Sequence, residues 1–451
     1  MERTASIQMG TWFDSKRRKP LVLRGARQVG KSTLVRMFAQ YRNLALYEVN
    51  LERYLYLRDH FRSNDPNRIL GELQGIFGEI RDKKTALLFL DEIQAVPEAL
   101  PALRYFLEDM PELAVVAAGS LLEFALADHS FSMPVGRISY IHLEPLSFSE
   151  FLLAVDPELH RFFEAWKLGD GMPESRHGML LRRQREYLVV GGMPEAVQVW
   201  LESGLFGQVQ QVQREILGTY VDDFAKYAKQ AQLVRLQRIY RSIPAHLGQK
   251  IIYSKLSKLD RSPEVKSAVD LLCKARVCSQ VYHSDSSGLP LGAGQDDSIF
   301  KLLFLDVGLV SLQLGLDWTQ VQRFDERSLL NEGPLAEQFV GQELRTRHNG
   351  QESPELHYWL REGRSNNAEL DYVIQLGMDI LPIEVKAGKS GSLKSLRQFI
   401  TEKKPTRALR FDLNPPTHQT LDVGEVRCEL WSLPLYFAGR AMELLRGDVE
   451  G

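Results

Sequence analysis

The stretch Gly25-Ala26-Arg27-Gln28-Val29-Gly30-Lys31-Ser32 fits the pattern G-x-x-x-x-G-K-[ST] at every defined position. Glycines at both ends of such a loop let the backbone curl without side-chain clashes, so that its N–H groups can converge on phosphate oxygens. Lys31 is suited to reach the β and γ phosphates of a nucleoside triphosphate, and the Ser32 hydroxyl to ligate Mg²⁺. The flanks agree with this reading. Pro20-Leu21-Val22-Leu23-Arg24 is a short apolar run of strand type, and Ser32–Tyr41 is a predicted helix with Leu34, Val35 and Phe38 on one face. A helix starting at the loop turns its positive end toward the anion. The expected ATP contacts are Gly25, Ala26, Arg27, Gln28, Val29, Gly30, Lys31, Ser32 and Thr33.

Outward from the loop, residues 1–145 alternate strand and helix signals. Strands are expected at Leu21–Arg24, Leu44–Asn50, Ala86–Leu90, Ala114–Ala118 and Ile138–Leu143, which implies a parallel sheet covered on both faces. Ala86-Leu87-Leu88-Phe89-Leu90-Asp91-Glu92 is an apolar run ending in two acids. Ligands bind at the carboxyl ends of strands in open α/β sheets. Asp91 is therefore a candidate holder of Mg²⁺ and Glu92 a candidate polariser of the attacking water; the alternative for two acids at a strand end is a helix cap. One strand signal lies between the loop and Asp91, the arrangement of ATPases with an added central strand. Ser120, after Ala114–Ala118, is placed to sense the γ-phosphate or position water, or else to cap a turn. Arg137, before Ile138–Leu143, is a candidate arginine finger acting on a neighbouring subunit's γ-phosphate, which would make the active form a homo-oligomer. A surface arginine or an intramolecular ion pair is the other reading.

The chain is long enough, at 451 residues, for two to four domains. Its 25% charged and 44% hydrophobic residues are ordinary for globular proteins, and no apolar run approaches the length that spans a bilayer. The N-terminus lacks the layout of a signal peptide. The three cysteines, Cys273, Cys278 and Cys428, form neither a disulfide framework nor a zinc ribbon. A cytoplasmic location and no membrane partner are expected. Net charge is −2, but residues 226–276 hold twelve Lys or Arg against Asp260, Glu264 and Asp270, a local +9 against −11 elsewhere. That asymmetry points to a phosphate-backbone partner such as DNA; a solvated helical face is the plainer alternative.

Residues 146–225 read as helical, interrupted by the turn Gly191-Gly192-Met193-Pro194. Residues 226–310 follow the order of a winged helix: helices Leu233–Leu247, Ser254–Leu259 and Pro263–Ala275, then strands Val277–His283 and Phe300–Leu305 around a Gly- and Asp-rich tip. Residues 325–451 alternate helix and strand again. There, Glu369-Leu370-Asp371-Tyr372-Val373-Ile374 and Leu381-Pro382-Ile383-Glu384-Val385-Lys386 are expected to pair across a turn at Gly377–Asp379. Period-two alternation places Glu384 and Lys386 on one face. Asp371 and Glu384 could hold Mg²⁺ or Mn²⁺ through hard oxygen ligands, with Lys386 orienting water or steadying the phosphate, the set that metal-assisted phosphodiester hydrolysis needs. Glu337, on the predicted helix Leu335–Leu344, is a further acid for this site, and Gln398 a weaker candidate.

The first 225 residues resemble the AAA-type P-loop ATPases, on Gly25–Ser32, Asp91–Glu92, Ser120, Arg137, the stretch His142–Phe151 and Gly191–Pro194. The last two stretches resemble a prokaryotic branch known simply as ATP-binding proteins. That resemblance implies an ATPase core over 1–145, a helical lid over 146–225 with a sensing arginine among Arg182, Arg183 and Arg185, and a C-terminal domain of unknown function. Lys301–Leu309 resembles the family stretch that closes the winged helix, with a structural role. Residues 325–451 resemble the PD-(D/E)XK nuclease fold, either cutting or binding without cutting. The fold class expected is α/β: P-loop core, helical lid, winged helix and nuclease-like α/β domain. The function expected is Mg-dependent ATP hydrolysis coupled to nucleic-acid binding or processing; the alternative is a nucleotide-controlled switch that recruits a protein partner.

Overall fold

The computed structural model describes residues 1–120, 122, 136–226, 228, 230–316, 333–346, 355–362, 367–388 and 392–447. They divide into two compact units, one formed chiefly by Met1–Glu144 and the other by Pro145–Cys273 with most of the chain from Val277 onward. Among the described residues no helix is long and apolar enough to cross a membrane.

The first unit is built on five strands: β1 (Leu21–Arg24), β2 (Ala45–Asn50), β3 (Ala86–Asp91), β4 (Ala114–Ala118) and β5 (Ser139–His142). They form one sheet in the order β2-β3-β4-β1-β5, and each pairing is parallel. Helices on the faces explain why β3 and β4 are apolar runs rather than alternating ones, since every residue of both is buried. Leu88, Leu90, Val115 and Ala117 pack with Ile69, Leu73, Leu103 and Phe106 from the helices Pro66–Phe77 and Ala99–Asp109. The inserted strand is β4, which separates β1 from β3. The loop after β1 and the acids after β3 therefore open on the same carboxyl edge of the sheet, one strand apart.

The second unit combines helices with an eight-stranded mixed sheet. Its strands are β6 (Cys278–Ser284), β7 (Gln295–Phe304), β8 (Leu356–Arg361), β9 (Ala368–Leu376), β10 (Asp379–Val385), β11 (Arg407–Asp412), β12 (Thr417–Val423) and β13 (Val426–Pro434). The order is β12-β13-β11-β10-β9-β8-β6-β7. Three helices, Gln230–Ser242, Tyr253–Leu256 and Ser262–Lys274, precede the β6–β7 hairpin as the sequence suggests. The hairpin, however, also pairs in parallel with β8 through Val281, Tyr282 and His283, so it forms an edge of the C-terminal sheet. Sequence periodicity detects a strand but not its lateral neighbour. The helix Lys394–Lys403 covers the sheet with Leu396, Phe399 and Ile400 against Trp359, Leu370 and Leu430.

A second helix, Gly333–Thr346, ties the sheet to the helices of residues 146–225. Glu343 accepts the Phe148 N–H at 2.8 Å, and the Gln342 amide donates to the Tyr187 hydroxyl at 2.9 Å. Phe339 meets the rings of Phe148 and Tyr187 edge-on. Ser147 and Glu150 form a reciprocal cap that starts the helix Phe148–Val155. Asp306 starts another, Val307–Gln313, by accepting the N–H groups of Gly308 and Leu309, and its second oxygen accepts Gly192 N–H at 2.6 Å. The Gly191–Pro194 turn and the Lys301–Leu309 stretch are thus held by one carboxylate.

Candidate functional site

At the carboxyl edge of the parallel sheet, Gln28 and Gly30 adopt left-handed backbone conformations (φ 64° and 92°) before the helix Lys31–Tyr41 begins. A Cβ at Gly25 would collide with the Leu143 carbonyl oxygen, so the loop can follow this path only with glycine there. Lys31 is buried, and its ammonium donates to the carbonyls of Gly25 (3.0 Å) and Ala26 (2.8 Å). Burial pulls its pKa down to about 8, although the carboxylates of Glu92 and Asp91 act the other way. Ser32 Oγ donates to Asp91 Oδ2 at 2.8 Å, which joins the loop to the end of β3 across the intervening strand. Burial raises the Asp91 pKa, against the hydrogen bond from Ser32.

Glu92 follows in a left-handed conformation (φ 53°, ψ 46°), unfavourable for a side-chain-bearing residue. Its backbone N–H bonds Asp91 Oδ1 at 3.0 Å, and its carboxylate accepts from the Gln94 amide at 2.6 Å. Ser120, just beyond β4, is buried, and its hydroxyl has no hydrogen-bond partner among the described residues. Lys31, Ser32, Asp91 and Glu92 are therefore brought together. Arg137 is not: because β5 runs parallel to β1, the residue before β5 lies at the amino edge of the sheet, opposite the loop. There it is half exposed and faces Glu108 at 3.7 Å, the same carboxylate that Arg104 holds at 2.9 Å. Of the three candidate sensing arginines, Arg182, Arg183 and Arg185, Arg183 pairs with Glu186 (2.8 Å) and Asp156 (3.1 Å), and Arg182 is largely exposed near Glu186.

In the second unit, Glu337, Asp371 and Glu384 converge as their strand and helix positions suggest, joined by two residues that the sequence reading did not place there. Lys301 of β7 is buried, with its ammonium 2.5 Å from Glu369, 3.0 Å from Glu337 and 3.6 Å from Asp371. Lys301, expected to have only a structural role, is instead the centre of a set of ion pairs. The missed signal is a single lysine inside the apolar run Ile299–Phe304, which requires a buried counter-charge. Glu369 shares the face of Asp371 by period-two spacing. Asp371 Oδ2 accepts the Val385 N–H at 2.7 Å, which fixes β9 to β10. Lys386 bonds Glu384 directly. Burial, reinforced by Asp371, pushes the pKa of Glu337 up to about 8 and that of Glu384 up to about 7. Gln398 does not join the cluster; its amide donates to Glu402 at 2.7 Å, one turn along its own helix.

The basic stretch is not a bare cationic face. Lys226 pairs with Asp223, Arg235 with Asp260 and Glu264, Arg238 with Asp260, and Lys250 with Glu362. Arg241, Lys255, Lys258, Arg261 and Lys266 are exposed. Lys229 lies outside the described residues.

Residues 17–152 match the family of the AAA domain. Residues 181–320 and 332–422 match two domains of unknown function, DUF8612 and DUF4143. No curated protein matches the chain. Among solved structures, it is similar to Orc1 of Aeropyrum pernix in complex with DNA, at 11% identity over 71% of this chain and 92% of that one (TM-score 0.27). It is similar to RuvB of Thermotoga maritima at 12% identity over 61% and 87% (TM-score 0.30). Similarity to AMPPCP-bound DnaA of Aquifex aeolicus is 12% over 60% and 86% (TM-score 0.26).

Proposed function

We propose that this chain, an AAA-type P-loop ATPase by its residues 17–152, binds ATP with Mg²⁺ at Gly25–Thr33, hydrolyses it, and uses the cycle to act on nucleic acid through its C-terminal half. The observation that carries the hydrolytic reading is the Ser32–Asp91 hydrogen bond beside Lys31 and Glu92. A hydroxyl and a carboxylate 2.8 Å apart are hard oxygen donors that suit Mg²⁺. They would hold the ion, which screens phosphate charge when bound. Lys31 would exchange its loop carbonyls for phosphate oxygens. Glu92 orients and polarises the attacking water, and the unpartnered Ser120 hydroxyl faces the γ-phosphate. Arg137 acts in trans, which its position at the far edge of the sheet supports.

Nucleic acid is the partner that the exposed Arg241, Lys255, Lys258, Arg261 and Lys266 favour. The ion pairs of Lys226, Arg235, Arg238 and Lys250 favour the second reading, a nucleotide-controlled switch that recruits a protein. The deciding measurement is the ATPase rate with and without single- and double-stranded DNA, at several salt concentrations. Stimulation by DNA that falls steeply with salt supports the first reading; a rate indifferent to DNA supports the switch. Lys31→Ala should lose ATP binding, and Glu92→Gln should keep binding and lose turnover by about 10²–10⁴-fold. Undiminished turnover in Glu92→Gln removes Glu92 from its role.

A further inference from the structure

The carboxylates of Glu337, Asp371 and Glu384 come from a helix and two adjacent strands; Glu337 and Asp371 both face Lys301, and Glu384 follows Ile383, which pairs with Tyr372 beside Asp371. Oxygen ligands gathered in this way suit a divalent cation. Among the described residues, however, no group of three or more His, Cys, Asp or Glu side chains is arranged to hold one. The distances around Lys301 account for this. Its ammonium lies within 3.0 Å of Glu337 and Glu369 and 3.6 Å from Asp371, and the Tyr358 ring lies 5.4 Å from it on another side. The position beside Glu337 and Asp371 is filled by a cation that the chain itself supplies. Lys386 engages one oxygen of Glu384, and the other, Oε2, is buried with no partner among the described residues.

We propose that the Lys301 ammonium stands where a divalent cation would otherwise bind, so that Glu337, Asp371 and Glu384 form a latent metal site that this chain keeps closed with its own charge. The electrostatics agree. Four carboxyl groups, Glu337, Glu369, Asp371 and Glu384, face the two ammonium groups of Lys301 and Lys386. The chemistry explains why a single charge is tolerated so deep in the protein: an unpaired buried ammonium is costly, and three carboxylates compensate it. The inference rests on the proposal that the C-terminal half engages nucleic acid, and it means that this half does so without metal-assisted cleavage at these carboxylates.

The test is a Mn²⁺ titration of the full-length, nucleotide-free protein stripped with chelator, read by the electron paramagnetic resonance signal of free Mn²⁺. Wild type should show no difference from Asp371→Asn. Lys301→Met, close in shape but uncharged, should gain at least about tenfold in Mn²⁺ affinity, and Lys301→Met/Asp371→Asn should lose the gain. A wild-type Mn²⁺ site that Asp371→Asn abolishes overturns the proposal, and this comparison stands even if Lys301→Met does not fold. A folded Lys301→Met protein without the gain overturns it as well. No nucleotide or DNA is present in the titration, so its outcome is independent of whether DNA stimulates the ATPase.

Discussion

Lys31 and Glu92 carry the two costs that the proposed nucleotide site imposes on the fold. An ammonium buried in the loop is less basic than in water, with a pKa near 8. ATP affinity of the free protein is therefore expected to fall as pH rises through about 8, where the neutral amine replaces the cation. Equilibrium binding across that range checks this, and a flat profile would contradict it. Glu92 is held at φ 53°, a conformation that costs a side-chain-bearing residue about 1–3 kcal/mol. Glu92→Gly is expected to melt no lower than wild type, and to gain about 1 kcal/mol if the strain is not offset elsewhere, while losing turnover. Thermal unfolding and ATPase assays on the same preparation separate the two effects. A stable Glu92→Gly variant that still hydrolyses ATP would remove the Glu92 carboxylate from the proposed water-polarising role.

At the scale of elements, Asp306 joins a strand end, a helix start and the Gly191–Pro194 turn. Asp306→Ala leaves the N–H groups of Gly192, Gly308 and Leu309 without their acceptor, and an unsatisfied buried group costs about 1–3 kcal/mol. A loss of about 2–4 kcal/mol in urea unfolding is expected, without direct loss of ATP binding. Burial also pushes the Asp306 carboxyl up to about 6 from its ordinary value near 4. Between those values the folded state holds a proton that the unfolded chain has released. The contribution of Asp306 to stability therefore rises as pH falls from about 6 to about 4, and is lowest above 6. Asp306→Asn should flatten that part of the stability profile. A profile unchanged by the substitution would show that other carboxyls dominate it.

At the scale of the molecule, the open question is whether subunits complete one another's ATP sites. Arg137 lies at the sheet edge opposite the loop and faces Glu108. If it acts in trans, Arg137→Ala should bind ATP and turn it over about 10³-fold more slowly. Mixing it with Glu92→Gln should restore part of the activity, because one variant supplies the water-polarising acid and the other the arginine. Unchanged turnover in Arg137→Ala would leave the residue as a surface ion pair.

The nucleotide half of this chain was legible because its signals are local. The loop residues, the apolar strand ending in Asp91-Glu92 and the positions of five strands along the chain all follow from short-range patterning. Asp371, Glu384 and Glu337 were legible for the same reason, as period-two and helical spacings that bring acids to one face. What the sequence by itself could not decide was lateral. That the β6–β7 hairpin would dock beside β8 depends on pairing between segments more than seventy residues apart. The apolar run around Lys301 signals that a buried counter-charge is needed, but not that Glu337, Glu369 and Asp371 supply it. Sequence alone determined that the chain has a glycine-rich loop of phosphate-binding pattern, a strand ending in Asp91 and Glu92, and a set of C-terminal carboxylates. Only tertiary structure decided that a buried ammonium sits among those carboxylates, because counter-ion placement in a core is set by which strands meet.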